Sequence, residues 1–153
     1  LKELKPYGRP TSTQGKVVHQ VEGLAVPILG YYDLWYQPTR CVIDIKTTHA
    51  LPSKISTPHA RQLAFYAKGV QVPEGKTVDP MICYVTPKKS ATYRLENADE
   101  HFKALVAIGQ TVQNLVSLSE DPAVIVSLVT PNVDSFYWND PLARQAAYEI
   151  WGV

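Results

Sequence analysis

The stretch Gly30 to Lys46, GYYDLWYQPTRCVIDIK, decides how this chain is read. Two β-prone runs, Ile28–Tyr36 and Cys41–Lys46, flank Gln37-Pro38-Thr39, which predicts a β-hairpin. A turn centred between Pro38 and Thr39 sets Asp33 opposite Asp44, Tyr31 opposite Lys46 and Trp35 opposite Val42. Side chains alternate along a strand. One face is then expected to carry Tyr31, Asp33, Trp35, Val42, Asp44 and Lys46. The other carries Tyr32, Leu34, Tyr36, Cys41, Ile43 and Ile45, an apolar face suited to a core.

In this register two carboxylates face each other with Cβ atoms about 5 Å apart. Such a pair repels unless one acid takes up a proton or a cation sits between them. Oxygen ligands on a partly open site favour Mg²⁺ or Mn²⁺. Lys46 lies two residues beyond Asp44, on the same side, where an ammonium could hold a water or stabilise charge on a phosphate. The plainer alternative is a solvated strand edge. A one-residue slip would move the acids to opposite faces.

Outward from the hairpin, Lys16–Glu22 reads as a preceding strand that ends at Gly23, which makes a three-stranded meander. Residues 1–15 are polar and rich in Pro, Gly and Thr, and are expected to hold little regular structure. After a loop over 47–56, Thr57 is the expected N-cap of a helix with Pro58 at its first position, running to Ala67 or Lys68 and stopping at Gly69. On it His59, Gln62 and Tyr66 form one stripe that can meet a phosphate backbone, with Arg61 beside it. An amphipathic helix with a solvated polar side is the alternative.

Two more strands are expected at Met81–Thr86 and Ala91–Glu96. Asn97 with Glu100 resembles a capping box ahead of a long helix to about Ser119. Ala123–Thr130 reads as extended. Asp140, Pro141 and Gly152 bracket a last helix, with Trp138 and Trp151 as its packing anchors. Strands followed by interleaved helices predict an α/β fold, a sheet with helices packed on it.

Composition narrows the class. The chain has 153 residues, 45% hydrophobic and 19% charged, which suits one globular domain spanning 1–153 and excludes a disordered or fibrous chain. No apolar run approaches the roughly 20 residues a membrane span needs. Leu1 to Pro10, polar and broken by prolines, does not read as a secretory signal. Net charge is +1, yet between Arg40 and Lys68 five bases accompany the single acid Asp44. That basic segment suits an anionic substrate, as it also suits a solvated surface. Cys41 and Cys83, each in an apolar run, read as buried thiols in a reducing compartment. Two cysteines cannot make a four-cysteine metal or iron–sulfur site.

GYYD, VIDIKTT and HARQLAFY together resemble the PD-(D/E)XK nuclease superfamily, in the branch of the RecB nuclease domain and the lambda exonuclease-like phage nucleases. That branch is similar in its Gly-x-x-Asp element, its acid-x-Lys element on the next strand and its Gln-x-x-x-Tyr element on the following helix. Here these fall on Gly30 to Asp33, Asp44 to Lys46 and Gln62 to Tyr66, and the match covers roughly residues 16–86. The resemblance implies a restriction-endonuclease-like core, a mixed β-sheet flanked by α-helices. It also implies Mg²⁺- or Mn²⁺-dependent hydrolysis of DNA phosphodiesters, by an exonuclease rather than an endonuclease, in phage or bacterial recombination, replication or repair. By its pattern Asp33, Asp44 and the Ile45 carbonyl hold the metal, Lys46 acts on the attacking water, and Gln62 and Tyr66 position DNA. DNA is the implied partner, a second copy or a recombination protein a further one, and the bacterial cytoplasm the implied location.

The family usually has a further acid on a helix before the first strand. Only Glu3 precedes Lys16 here, and Glu22 lies on or beside a strand. The chain does not begin with Met, so that element is read as trimmed, supplied by another chain, lost, or replaced by Glu3 or Glu22. Its loss would favour a non-catalytic DNA-binding or assembly module on the same fold. A carboxylate pair about 5 Å apart would also serve a retaining glycosidase, but Lys46 and the basic surroundings suit a phosphate better.

Overall fold

In a computed structural model the described residues are 2–135 and 138–152. They fall into two compact units, Leu1–Gln110 and Thr111–Val153. The first holds a five-stranded sheet with strands in sequence order: β1 (Ser12–His19), β2 (Ile28–Tyr36), β3 (Cys41–Thr47), β4 (Asp79–Val85) and β5 (Ser90–Arg94). β1–β2, β2–β3 and β4–β5 are antiparallel, whereas β3 and β4 are parallel. A parallel pair needs a crossover. Helix α1 (Thr57–Gly69) lies within that connection, and α2 (Ala98–Val116) follows the sheet. The fold is α/β, a mixed sheet flanked by helices, as expected.

The hairpin register is the expected one where it is paired: Leu34 with Ile43, Trp35 with Val42 and Tyr36 with Cys41. The sheet is buried on both faces at its centre, so the face that carries Trp35 and Val42 is core as well as the expected one. One cluster joins Trp35 and Val42 to Ala60, Leu63, Ala64, Phe65 and Tyr66 of α1. The other joins Tyr36, Cys41, Ile43 and Cys83, with Leu34 and Ile45 packed on them.

The alternation also breaks at Asp33. Tyr32, expected beside Leu34 and Tyr36, packs instead in the α1 cluster, edge-on to Tyr66 with ring centroids 6.5 Å apart. Gly30 faces the same way: a Cβ there would lie 2.7 Å from Phe65 Cε1 and 3.1 Å from Tyr66 Cε1. The glycine of the Gly-x-x-Asp element therefore admits the helix against the strand. Across the sheet, Gln14 stands opposite Asp33 and takes φ 50°, and the β1–β2 pairing skips this level. A left-handed backbone at a non-glycine residue costs roughly 1–2 kcal/mol.

Several sequence-based expectations are corrected here. Lys2–Tyr7 is a 3₁₀ helix, not irregular chain, because Leu4 and Tyr7 cover the second cluster and Tyr7 Oη donates to Met81 Sδ at 3.1 Å. β1 begins at Ser12 rather than Lys16 and ends at His19. The N-cap of α1 is Ser56, one residue before the expected Thr57, and makes no side-chain cap bond. Asn97 adopts φ 56°, not the extended backbone of a capping residue.

The second unit holds α3 (Pro122–Ser127) and α4 (Pro141–Trp151). The extended segment expected over 123–130 is mostly helix instead: Asp121 caps the Ala123 N–H and Pro122 occupies the first turn, a local signal that outweighs the β-branched run. α4 follows its signals, with Asp140 accepting from Leu142 N and Gly152 at φ 73°. Trp138 and Trp151 pack edge-on at 6.2 Å, and Trp151 Nε1 donates to the Val126 carbonyl.

Gly30→Ala places its methyl against the rigid, buried Phe65 ring. Urea denaturation should show a loss of about 1–3 kcal/mol, and an unchanged midpoint would refute the close approach of α1 to β2.

Candidate active site

The β2–β3 ladder stops at Leu34 and Ile43, one level short of Asp33 and Asp44. The two acids, expected directly opposite each other, are therefore not paired by the ladder. Instead Asp33 Oδ2 accepts the Ile45 N–H at 2.7 Å, so a side chain takes the place of a strand partner where the strands part. This bond ties Asp33 to the residue following Asp44. Each acid also lies near enough to affect its surroundings: Asp33 raises the pKa of Asp44, and both acids raise that of Tyr66.

Asp44 is 2% exposed, the one buried charged side chain among the described residues. Its Oδ2 lies 2.9 Å from Lys46 Nζ. That ion pair meets the charge, and Oδ2 has no other polar partner. Burial raises the pKa of Asp44 above the usual carboxylate range. The Lys46 ammonium pulls it back, and Asp33 adds to the rise. The two carboxylates and Lys46 thus gather around the backbone of residues 44–46.

The α1 stripe is brought to the same place, and its side chains make contacts within the protein. Tyr66 is 1% exposed and donates its hydroxyl to the Tyr31 carbonyl at 2.6 Å, while Gln62 Nε2 donates to Tyr66 Oη at 2.8 Å. Tyr66 thus presents almost no surface to a ligand and braces β2 just before Asp33. Burial first, and the neighbouring acids second, push its phenol up to about 12. Half-buried His59 pairs through Nδ1 with Tyr84 Oη at 2.8 Å, and Tyr84 is the register partner of Lys46. Burial and the Lys46 charge lower the His59 pKa, which favours a neutral ring. Arg61 is half-buried, its Nε enclosed without a hydrogen-bond partner.

The sequence did not single out Tyr84, nor Thr13 and Gln14. The last two line an open depression of roughly 520 Å³ with Asp33, Leu34 and Ile45. Tyr84 carries only an alternation signal, and nothing local marks Gln14. The acids considered as substitutes lie elsewhere. Glu3 accepts from Ser90 on β5, two strands beyond β3, and Glu22 is exposed in the turn after β1.

A divalent cation suits what is present in part. Asp33 and Asp44 are hard oxygen donors, and the buried Asp44 Oδ2 has only the Lys46 ammonium as a partner. Among the described residues no group of three or more His, Cys, Asp or Glu side chains comes together. A cation here would take much of its shell from water, backbone and substrate oxygens, as Mg²⁺ commonly does. Also among the described residues, no helix is long and apolar enough to cross a membrane.

No family model matches the chain, and no curated protein matches it significantly. Among solved structures it is similar to a Eubacterium rectale protein named "Putative exonuclease", at 11% identity and TM-score 0.57 over 88% of this chain and 53% of that one. It also aligns with SSO0001, at 21% identity and TM-score 0.49 over 67% of this chain and 50% of that one. The chain spans about half the length of each. At these identities the first likeness is one of fold, and it agrees with a restriction-endonuclease-like core.

Two outcomes follow from the site. Raised in the folded state, the Asp44 pKa makes ionisation a penalty on folding, absent below the ordinary carboxylate range and fully present above the folded value. Asp44→Asn should therefore unfold at a higher urea midpoint than the parent at pH 7, with the gap closing towards pH 3. A less stable variant at neutral pH would contradict this. Asp33→Ala should expose the Ile45 amide to hydrogen exchange, while Asp33→Asn, which keeps an acceptor oxygen, should protect it.

Proposed function

We propose that this chain is a divalent-metal-dependent deoxyribonuclease of the PD-(D/E)XK type. The observation that carries the reading is the gathering of Asp33, Asp44 and Lys46 where β2 and β3 part, tied by the Asp33 to Ile45 N–H bond and the 2.9 Å Asp44–Lys46 pair. The three sequence elements, in order and on the expected strands and helix, support it. So does the fold shared with the protein named "Putative exonuclease".

In this reading Asp33, Asp44 and the Ile45 carbonyl hold Mg²⁺ or Mn²⁺. When bound, the ion neutralises phosphate charge and lowers the pKa of water. Lys46, released from its contact with Asp44, holds the attacking water or the phosphate oxygen through its ammonium. Tyr66 and Gln62 keep the β2 backbone in place, which fixes the Asp33 carboxylate. Gln62 retains an amide oxygen and an N–H for the substrate. His59 and Arg61, both half-buried on α1, meet the DNA backbone through what they leave exposed. Basic residues between Arg40 and Lys68 supply attraction that weakens with salt. End-dependent cleavage rests on the resemblance to exonucleases.

Purified chain incubated with end-labelled linear and closed circular DNA tests this. Linear DNA should be degraded with Mg²⁺ and spared with EDTA, and circular DNA should survive. Asp44→Ala and Lys46→Ala should each lower the rate by about 10³-fold or more while remaining folded. Full activity in both would overturn the mechanism.

That no third acid joins Asp33 and Asp44 among the described residues favours one rival: a DNA-binding or assembly module that keeps the fold without turnover. It would bind DNA equally with and without Mg²⁺ and cut neither substrate.

A further inference from the structure

Val42 packs in the α1 cluster, and side chains alternate along a strand, so Asp44 and Lys46 point to the face that α1 covers. Tyr84 on β4 is level with Lys46 and belongs to the same cluster. His59, in the first turn of α1, reaches it: Nδ1 lies 2.8 Å from Tyr84 Oη, with ring centroids 5.6 Å apart. The Lys46 charge is felt at that ring, where it adds to burial in lowering the His59 pKa. His59, Tyr84 and Lys46 thus share one face of the sheet and come from three elements.

The proton between His59 and Tyr84 has one consistent place. Tyr84 is 2% exposed, and a buried hydroxyl needs an acceptor for its proton. Among the described residues the polar contact of Oη is His59 Nδ1, while the Tyr93 ring meets Tyr84 edge-on at 5.7 Å and offers no lone pair. Tyr84 therefore donates and Nδ1 accepts. A neutral imidazole carries one N–H, so the ring proton lies on Nε2, the nitrogen turned away from Tyr84. Lys46 keeps further N–H groups beyond its contact with Asp44. Both side chains are half-buried, and each leaves a part open to a ligand. Two neighbouring donors, one neutral and one cationic, match the oxygens of a phosphate.

We infer that His59 Nε2 and Lys46 Nζ grip the same phosphate of the DNA strand, with Tyr84 as the positioning residue that holds the His59 proton on Nε2. The inference rests on the reading above and deepens it. The contact needs no charge on His59, and the phosphate it holds is the one at the level of Lys46. Tyr84, enclosed in the core, acts on the substrate through one bond.

NMR and DNA binding on the full chain in EDTA, where no strand is cut, provide the test. Nitrogen-15 spectra at pH 7 should show His59 unprotonated at Nδ1 and protonated at Nε2. Tyr84→Phe removes a hydrogen bond to the neutral ring and should raise the His59 pKa. A proton on Nδ1, or a pKa that Tyr84→Phe leaves in place, overturns the inference. His59→Ala should weaken binding of linear DNA by about tenfold, as loss of a hydrogen bond to a charged group does. His59→Gln, whose amide N–H can stand in for Nε2–H, should restore most of it. Lys46→Ala should also weaken binding, and the double variant should lose less than the product of the two single losses, because both side chains serve one phosphate. Losses that multiply place them on separate phosphates and overturn the inference. DNA held in the expected way yet left intact with Mg²⁺ upholds the grip and removes the nuclease reading alone, whereas a parent chain that binds no DNA removes both.

Discussion

The bond from the Ile45 N–H to Asp33 Oδ2 is the constraint on which the centre of this protein turns. Two strands that part leave backbone donors without partners, and a buried donor left so is costly. A carboxylate placed at the fork supplies the missing acceptor. The same residue breaks the alternation of β2, which sends Tyr32 and Gly30 towards α1 rather than away from it. Helix α1 can then approach closely enough for Tyr66 to reach the Tyr31 carbonyl. Site and core are built by one irregularity, so a change at Asp33 acts on both.

Charge is handled sparingly in that setting. Asp44 is buried with one ammonium for compensation, a poor arrangement for stability, since replacing a buried ion pair by packed apolar groups is often neutral or favourable. Burial and the same ammonium lower the His59 pKa, and burial raises that of Tyr66, whose hydroxyl donates to the Tyr31 carbonyl. A buried acid, a left-handed glutamine and an interrupted ladder lie within one small region. Violations of local rules that coincide in space mark function more often than accident.

In the second unit the described helices α3 and α4 follow their local cap signals. Asp121 with Pro122, and Asp140 with Pro141, each cap a short helix, and Gly152 ends the last one in the left-handed region. These signals act over a few residues and need no tertiary support. The β-branched run Val124-Ile125-Val126 invites a strand, but strand preference depends on neighbours to pair with, whereas a cap acts alone.

What the sequence by itself determined is what short-range chemistry controls: the hairpin register around Pro38 and Thr39, the place of α1 to within a residue at each end, the start and stop of α4, the adjacency of Asp44 and Lys46, and the ordering of the motifs. Turn geometry sets register, and caps set helix ends, within a few residues. Only the tertiary structure decided that Tyr66 faces inward and that Lys2–Tyr7 closes the second core. It alone decided that Tyr32 changes sides and that Gln14 stands across from Asp33. Each of those depends on a partner distant in sequence, or on a break in periodicity that no pattern of period two can announce. The acids converge through a side chain replacing a backbone acceptor, and the pairing arithmetic of regular strands contains no such exchange.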